Sequence, residues 1–127
     1  MIDAKELRFG NLVNEEVLGD CKVSGILKET VWVEVKNIKS NGSHNLREFH
    51  INIECLKPIP LTEEWLFKFG FSKNENRNVF ENQVMLIYKQ DGFFWFDLIS
   101  DSIFIENVHQ LQNLYHALNN EELTIIK

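Results

Sequence analysis

The first half of the chain alternates apolar and polar positions in short runs, which is the pattern of half-buried β-strands. In one run Val31, Val33 and Val35 point to one side and the residues between them to the other. Polar turn signals separate the runs. The pattern predicts strands over residues 12–17, 21–27, 31–38 and 48–56. Four short strands, each with one apolar face, predict a small antiparallel SH3-like barrel or a curled sheet.

Two prolines, Pro58 and Pro60, end this strand-rich region. Prolines one residue apart prevent continued sheet pairing and favour an extended link. We therefore expect two subdomains, a β subdomain over residues 1–58 and an α-β-β-β-α subdomain over residues 59–127, which share an aromatic core.

The segment PLTEEWLFKFGF, residues 60–71, predicts a helix of about two turns. Thr62 is a good N-cap and Gly70 is placed to end the helix. So short a helix is unstable alone and must be held by packing. One arc of it carries the residues expected in the core: Trp65, Leu66 and Phe69. Phe67 falls off this arc and is expected to be exposed or to meet a partner.

A hairpin is predicted around Asp91-Gly92, a strong two-residue turn signal between apolar runs at 84–89 and 93–99. A third strand is expected at 103–105. Both faces of this three-stranded sheet are apolar, so both must be covered. One face carries Leu86, Tyr88, Phe93 and Trp95. The other carries Met85, Ile87, Phe94, Phe96 and Leu98.

The last predicted element is a helix over residues 108–118, with Asn107 and Gln110 spaced as a capping box. Its apolar stripe is Val108, Leu111, Leu114, Tyr115 and Leu118. His109 and His116 lie opposite this stripe and are expected on a solvated face, where they could meet a partner. We expect this helix to cover one face of the sheet and the short aromatic helix to cover the other, or to join the two subdomains.

Three motifs, ELRFGNLV, PIPLTEEWLFKFGF and VHQLQNLYHAL followed by EELT, resemble a family of small proteins from gut-bacterial genomes. Members of that family are often encoded in prophages and other mobile elements. The resemblance spans essentially the whole chain. It implies structural positions, namely helix caps and packing stripes, and it implies no catalytic or binding residue.

Composition and charge narrow the function classes. The 127 residues are 44% hydrophobic and carry a net charge of −6, most of it in the second half. A nucleic-acid binder usually has a basic patch, so the second half argues against that role and the first half only permits it. The longest apolar runs are far too short to span a bilayer, and a charged N-terminus predicts a cytoplasmic location. We accordingly expect Cys21 and Cys55 to be reduced, buried thiols.

Metal and enzyme chemistry are not favoured. Four residues have the side chains that zinc prefers, Cys21, His44, His50 and Cys55, but they lack the paired short spacings of a structural zinc site. His109 and His116 lie two helical turns apart, too far to chelate one ion. Phosphate-cradling, dinucleotide, nucleophile-elbow and zinc-protease motifs are absent. We predict a chain without metal, cofactor or catalytic residues, with a weak hydrolase-like hypothesis around Asp97 and a histidine.

A nucleic-acid surface is the alternative that the residues themselves suggest. The outer sides of two neighbouring predicted strands combine one tryptophan with three lysines: Lys22, Lys28, Trp32 and Lys36. Ile26 is expected on the same outer side. A tryptophan flanked by lysines on an open sheet can stack bases and meet phosphates. Glu34 in the same row and the acidic net charge oppose this role, and Trp32 could instead pack beneath a loop under lysine stems.

The sequence therefore predicts an α+β protein without enzymatic activity that binds another protein, with a homodimer as one candidate because two apolar sheet faces have few helices to cover them. The resemblance implies an accessory protein of a phage or mobile element. The nucleic-acid-binding barrel is the alternative.

Overall fold

The computed structural model describes residues 2–38, 44–98 and 101–125. The chain forms two compact units, Met1–Ile59 and Pro60–Lys127. The architecture is α+β, with mostly antiparallel strands in two sheets and a helix near the C-terminus. An aromatic core shared by the two units stays a prediction. Within the described ranges, no helix has both the length and the apolar character needed to cross a membrane.

The sheet of the first unit has the strand order β4-β3-β2-β1-β5. Its strands are β1 Leu12–Glu15, β2 Gly19–Leu27, β3 Thr30–Ile38, β4 His44–Asn52 and β5 Leu56–Lys57. One face of it packs over a core in which Val13, Val23, Val31 and Val33 are almost completely buried. The predicted alternation of the valines is confirmed, because a strand turns successive side chains to opposite faces.

The end of the fourth strand differs from the prediction. Residues 48–56 do not form one strand, because β4 stops at Asn52 and a short 3-10 helix, Ile53–Cys55, follows it. The Asn52 side chain accepts a hydrogen bond from the Glu54 backbone N–H at 3.0 Å, which caps that turn. Among the described residues β4 and β5 are the two ends of the sheet and do not pair, so the sheet seen here is not a closed barrel.

The second unit begins with helix α1, Glu63–Lys68, continues with a five-stranded antiparallel sheet and ends with helix α2, Val108–Asn119. The strand order is β10-β9-β8-β7-β6. The strands are β6 Ser72–Asn74, β7 Val79–Glu81, β8 Leu86–Gln90, β9 Phe93–Leu98 and β10 Asp101–Ile105. The prediction of three strands was wrong. It missed β6 and β7, because these short strands flank a polar segment without apolar alternation.

The predicted hairpin turn is confirmed. Gln90 pairs with Phe93, so Asp91 and Gly92 form a two-residue connection. Both have positive φ, 53° and 83°, as a type I′ turn requires. The resulting register places Tyr88 opposite Trp95 and separates Phe93 from Phe94, which point to opposite faces of the sheet.

Helix α1 has the predicted ends. The Thr62 side chain accepts a hydrogen bond from the Trp65 backbone N–H at 3.4 Å. At the other end Gly70 has a φ of 88°, and the Phe71 N–H donates to the Leu66 carbonyl at 3.0 Å. The Gly70 N–H donates to the Phe67 carbonyl, which completes a Schellman motif. Leu66, Phe69 and Phe71 are buried, and Trp65 is half-buried.

Helix α1 lies on the face of the sheet that carries Phe80, and the alternative prediction that it joins the two subdomains stays a prediction. This helix-covered face carries Phe80, Ile87, Phe94 and Ile105, all buried. From α1 the Phe67 ring lies edge-on to Phe80, with a centroid distance of 5.8 Å. Helix α2 follows β10 directly and buries Val108 and Leu111.

Helix α2 is rotated relative to its predicted apolar stripe. His109 and Gln112 are buried together with Val108 and Leu111, whereas Leu118 is exposed. The prediction of His109 on a solvated face was therefore wrong. The predicted capping contact is present, since the Asn107 backbone N–H donates to the Gln110 side chain at 3.1 Å.

Candidate interaction surface

The second sheet leaves one face uncovered. The face opposite α1 carries three aromatic rings in neighbouring positions of β8, β9 and β10, because Tyr88 pairs with Trp95 and Trp95 pairs with Phe104. Phe93 and Leu86 extend the row along the strands. We call this set the aromatic face: Leu86, Tyr88, Phe93, Trp95 and Phe104.

Two of these rings are largely exposed. Phe93 is 62% exposed and Phe104 is 61% exposed, while Tyr88 and Trp95 are half-buried. A side chain of this size usually gains about 1.5–3 kcal/mol when it is removed from water. Nothing in the described chain covers these two phenylalanines. The aromatic face is therefore a surface on which contact with another molecule would be favourable.

The rings hold one another in fixed orientations. Tyr88 and Trp95 stack with a centroid distance of 5.8 Å and an interplanar angle of 19°. Phe93 and Phe104 meet edge to face, with centroids 6.4 Å apart at 76°. Such pairs contribute about 0.5–1.5 kcal/mol beyond the burial of their area. The face is therefore largely preorganised, which lowers the entropy lost on binding.

Three open cavities follow the aromatic face. One of about 600 Å³ lies between Phe93, Phe104 and the segment Pro60-Leu61. The second, of about 360 Å³, is lined by Phe93, Trp95 and Phe104. A third, of about 380 Å³, lies at the other end of the strands beside Leu86 and Tyr88. The first two share Phe93 and Phe104, so these two rings separate adjoining depressions.

The candidate partner residues of the two helices do not join this surface. Phe67 is half exposed, as predicted, but it lies on the helix-covered side against Phe80. His116 is half-buried near the end of α2, and His109 is buried. The structure does not bring the three together as one exposed patch. The aromatic face has a signal in the sequence. Phe93 and Trp95 are apolar residues at alternate positions of one strand, and the chain has few helices that could cover them.

The candidate nucleic-acid residues lie in the first unit. Trp32 is 40% exposed and stacks on His50, with a centroid distance of 4.5 Å and an interplanar angle of 8°. Its ring lies over Gly25, where an added Cβ would be 3.2 Å from the Trp32 Cδ1. His50 and Gly25 thus lie on the two sides of the Trp32 side chain, and the part of the ring that stays exposed could still contact a ligand.

The predicted arrangement of lysines around Trp32 is seen only in part, since Lys22 lies on the same side of the sheet as Trp32. A register shift between Val23 and Gly25 places Ile26 opposite Val31 and against the core, which is the reverse of the predicted side. Lys28 lies in the turn between β2 and β3 rather than on a strand. The pairing places Lys36 opposite Leu46, but its side chain lies outside the part that can be described.

Acidic residues reduce the basic character of this surface further. Glu34 pairs with Lys22 and with Glu48 across the sheet, and the Lys22 Nζ is 4.0 Å from the Glu34 Oε2. Lys22 is exposed, so its ion pair with Glu34 is weak. The carboxylates of Glu34 and Glu48 nevertheless lie close to Trp32 in the sheet. The described side chains around Trp32 therefore provide no excess of positive charge for phosphate binding.

The remaining chemical candidates are dispersed. Among the described residues no three His, Cys, Asp or Glu side chains are close enough to hold a metal ion. The side chain of His44 is outside the described set. Cys21 is a buried free thiol, whereas Cys55 is a free thiol that is exposed rather than buried as predicted. Burial, with smaller contributions from Glu15 and Asp20, raises the pKa of the Cys21 thiol to about 11.

Asp97, the acid of the hydrolase-like hypothesis, lies near the end of β9. It is exposed on the same side of the sheet as Trp95, and it accepts a hydrogen bond from the Ser102 hydroxyl at 2.8 Å. The hydrolase-like hypothesis had depended on a buried carboxylate. An exposed, hydrogen-bonded aspartate gives it no support.

Neither a protein-family model, a curated protein nor a solved structure matches this chain.

Proposed function

We propose that this chain is a non-enzymatic protein-interaction module that binds a protein partner through the aromatic face. The observation that carries the proposal is the exposure of Phe93 and Phe104 on a sheet whose other face is buried. A folded chain that leaves two phenylalanines in contact with water loses the free energy that their burial would provide. A partner that covers them recovers it.

The aromatic residues also fit the usual composition of binding surfaces. Tyrosine, tryptophan and phenylalanine are enriched at the centres of protein interfaces, and a few such residues usually carry most of the binding energy. The resemblance of three motifs to proteins of prophages and mobile elements adds the proposal that the module is an accessory protein of such an element. Its partner would then be a component of the element or of its host.

The experiment compares capture of partners by the tagged chain and by matched variants, expressed in a native host. Phe93→Ser combined with Phe104→Ser removes the two exposed rings. Phe9→Ser is the control, since Phe9 is 63% exposed and lies in the first unit. We expect at least one protein that is captured by the native chain and the control, and that binds the double variant at least about tenfold more weakly.

Interaction through another surface would give a different pattern. If every captured protein binds the double variant as well as the native chain, the aromatic face is not the binding surface. Circular dichroism and thermal unfolding of the variants check that the fold is intact. Both substituted phenylalanines are exposed, so the substitutions should leave the folded state in place.

A second candidate function is nucleic-acid binding by the first unit, as a small barrel of SH3-like type. The specific observation in its favour is Trp32, exposed and stacked flat on His50. Labelled single-stranded and double-stranded oligonucleotides at low and moderate salt provide the test. Binding at low salt that weakens with salt and is lost in Trp32→Ala would support this function. Binding that Trp32→Ala leaves unchanged would remove the stacking role.

A further inference from the structure

The cavities of the aromatic face share one electrostatic feature. Each combines aromatic or aliphatic walls with one carboxylate: Glu106 in the largest, Asp91 in the second and Asp97 in the third. All three acids are exposed. No lysine or arginine lines any of these three cavities.

The described lysines and the arginine of this unit lie elsewhere. Lys73 and Lys89 both contact the Glu63 carboxylate on the helix-covered side. Lys68 lies over the Trp65 ring, with its Nζ 4.5 Å from the ring centroid. Arg77 is in the turn between β6 and β7. The aromatic face is therefore acidic as well as apolar. Among the described residues, no lysine or arginine lines the three cavities beside its carboxylates.

Aromatic rings beside carboxylates form a favourable environment for cations. A lysine or arginine over an exposed ring gains about 0.5–1 kcal/mol, and a neighbouring carboxylate adds a comparable amount. A partner segment with basic side chains between apolar ones would satisfy both properties of this face. A negatively charged partner would be repelled by the three acids.

The size of the face favours a segment over a second copy of the chain. Five residues along each of three strands span about 17 Å by 14 Å, a footprint that an extended segment of about five residues can follow. A stable protein–protein interface buries about 800 Å² on each partner. A symmetric dimer through this face would be small, and it would also bring like charges together.

We infer that the aromatic face binds a short basic segment of a partner protein, in which lysine or arginine side chains lie on the same side of the segment as apolar ones, an assignment that rests on the function proposed above. The apolar side chains contact Phe93, Phe104 and Trp95. The cationic ones are placed beside Asp91, Asp97 and Glu106.

Fluorescence anisotropy with labelled peptides tests the assignment. The probe peptides carry valine and one other residue type, arginine, glutamine or glutamate, in pairs along the sequence, so that both kinds of side chain occur on each side of an extended peptide. We expect the arginine peptide to bind at least about tenfold more tightly than the glutamate peptide, with the glutamine peptide between them. Added salt should weaken binding of the arginine peptide.

Variants that neutralise one acid at a time show where the arginine peptide binds. Asp91→Asn, Asp97→Asn and Glu106→Gln should each weaken the arginine peptide about two- to fivefold. Glu75→Gln is the control, because Glu75 is an exposed acid in the turn between β6 and β7, away from the three cavities. Asparagine suits the first position of a type I′ turn as well as aspartate does, so Asp91→Asn preserves the hairpin.

The outcomes separate this assignment from the proposed function. Binding of a captured partner could require Phe93 and Phe104 and yet be insensitive to the three acids and to salt. That result would overturn the assignment and leave the proposed function standing. A dimer in light scattering that Phe93→Ser with Phe104→Ser dissociates would overturn it in favour of a second copy. Peptide binding that the same double variant leaves unchanged would also overturn it.

Discussion

The Lys89 ammonium group contacts the Oε2 of Glu63, although the two residues are 26 positions apart in the chain. Lys73 approaches the other carboxylate oxygen of Glu63, at 3.4 Å. Both lysines also lie over aromatic rings, Lys73 over Phe80 and Lys89 over Phe94, with Nζ 5.6 Å and 5.5 Å from the ring centroids. One carboxylate at the start of α1 thus joins the helix to two strands. This contact lies on the helix-covered face, opposite the aromatic face.

The Glu63 contact should make stability depend on pH. The hydrogen bond from Lys89, with a smaller contribution from Lys73, lowers the pKa of Glu63 in the folded state. A carboxyl group whose folded pKa is lowered contributes stability above its unfolded pKa, about 4.3 for glutamate, and loses it as the pH falls through the folded value. We expect Glu63→Gln to lower the free energy of unfolding by about 1 kcal/mol at pH 7, since each partly exposed ion pair contributes little.

Urea unfolding at pH 7 and at pH 3 measures the difference. The effect of Glu63→Gln should be smaller at the lower pH, where the native carboxylate is becoming protonated. Glu64→Gln is the matched control, since Glu64 pairs only with Lys68 one helical turn away, through exposed side chains. Equal effects of the two substitutions at pH 7 would contradict the special role of Glu63.

The register of β9 predicts opposite results for two neighbouring phenylalanines. Phe94 is buried on the helix-covered face, so Phe94→Ala should lower the free energy of unfolding by about 3–5 kcal/mol through the cavity it leaves. Phe93 is exposed, so Phe93→Ala should change it by less than about 1 kcal/mol. Urea unfolding of the two variants checks the register. Similar losses for both would show that the aromatic face is covered in the folded chain.

Helix α2 predicts unequal roles for its two histidines. His109 is 1% exposed, so His109→Ala should lower the free energy of unfolding by about 2–3 kcal/mol. His116 is half-buried near the helix end, and His116→Ala should cost less than about 1 kcal/mol. Thermal unfolding of both variants provides the comparison. A larger loss from His116→Ala would contradict the observed rotation of the helix.

The two thiols should differ in reactivity. With its pKa raised to about 11, Cys21 carries a thiolate in only about one molecule in a thousand at pH 8, and burial shields it further. Cys55 is exposed. We expect a thiol reagent such as Ellman's to label one cysteine rapidly in the native protein and both in urea. Cys55→Ser should abolish the rapid phase, whereas Cys21→Ser should leave it. Rapid labelling of both native thiols would contradict the burial of Cys21.

Several features of the fold were predictable because their causes lie within a few residues of the chain. The N-cap at Thr62, the end of α1 at Gly70 and the turn at Asp91-Gly92 depend on local dihedral angles and local hydrogen bonds. The alternation that separates Phe93 from Phe94 follows from strand geometry in the same way. β6 and β7 were not predictable, because segments of three residues are too short to show alternation and form strands only when a neighbouring edge supplies their hydrogen bonds.

The candidate site likewise combines features with local causes and features that depend on contacts distant in the chain. The sequence by itself determined that Leu86, Tyr88, Phe93 and Trp95 share one face of a hairpin, because a strand turns alternate side chains to the same side. Only the tertiary structure decided that this face stays open, since α1 packs on the opposite face, where Phe67 meets Phe80 and Glu63 contacts two distant lysines. The burial of His109 in α2 also depends on packing against elements distant in the chain, which the apolar stripe of the helix does not show. Local geometry sets which side chains point together, and long-range packing sets which of them meet water.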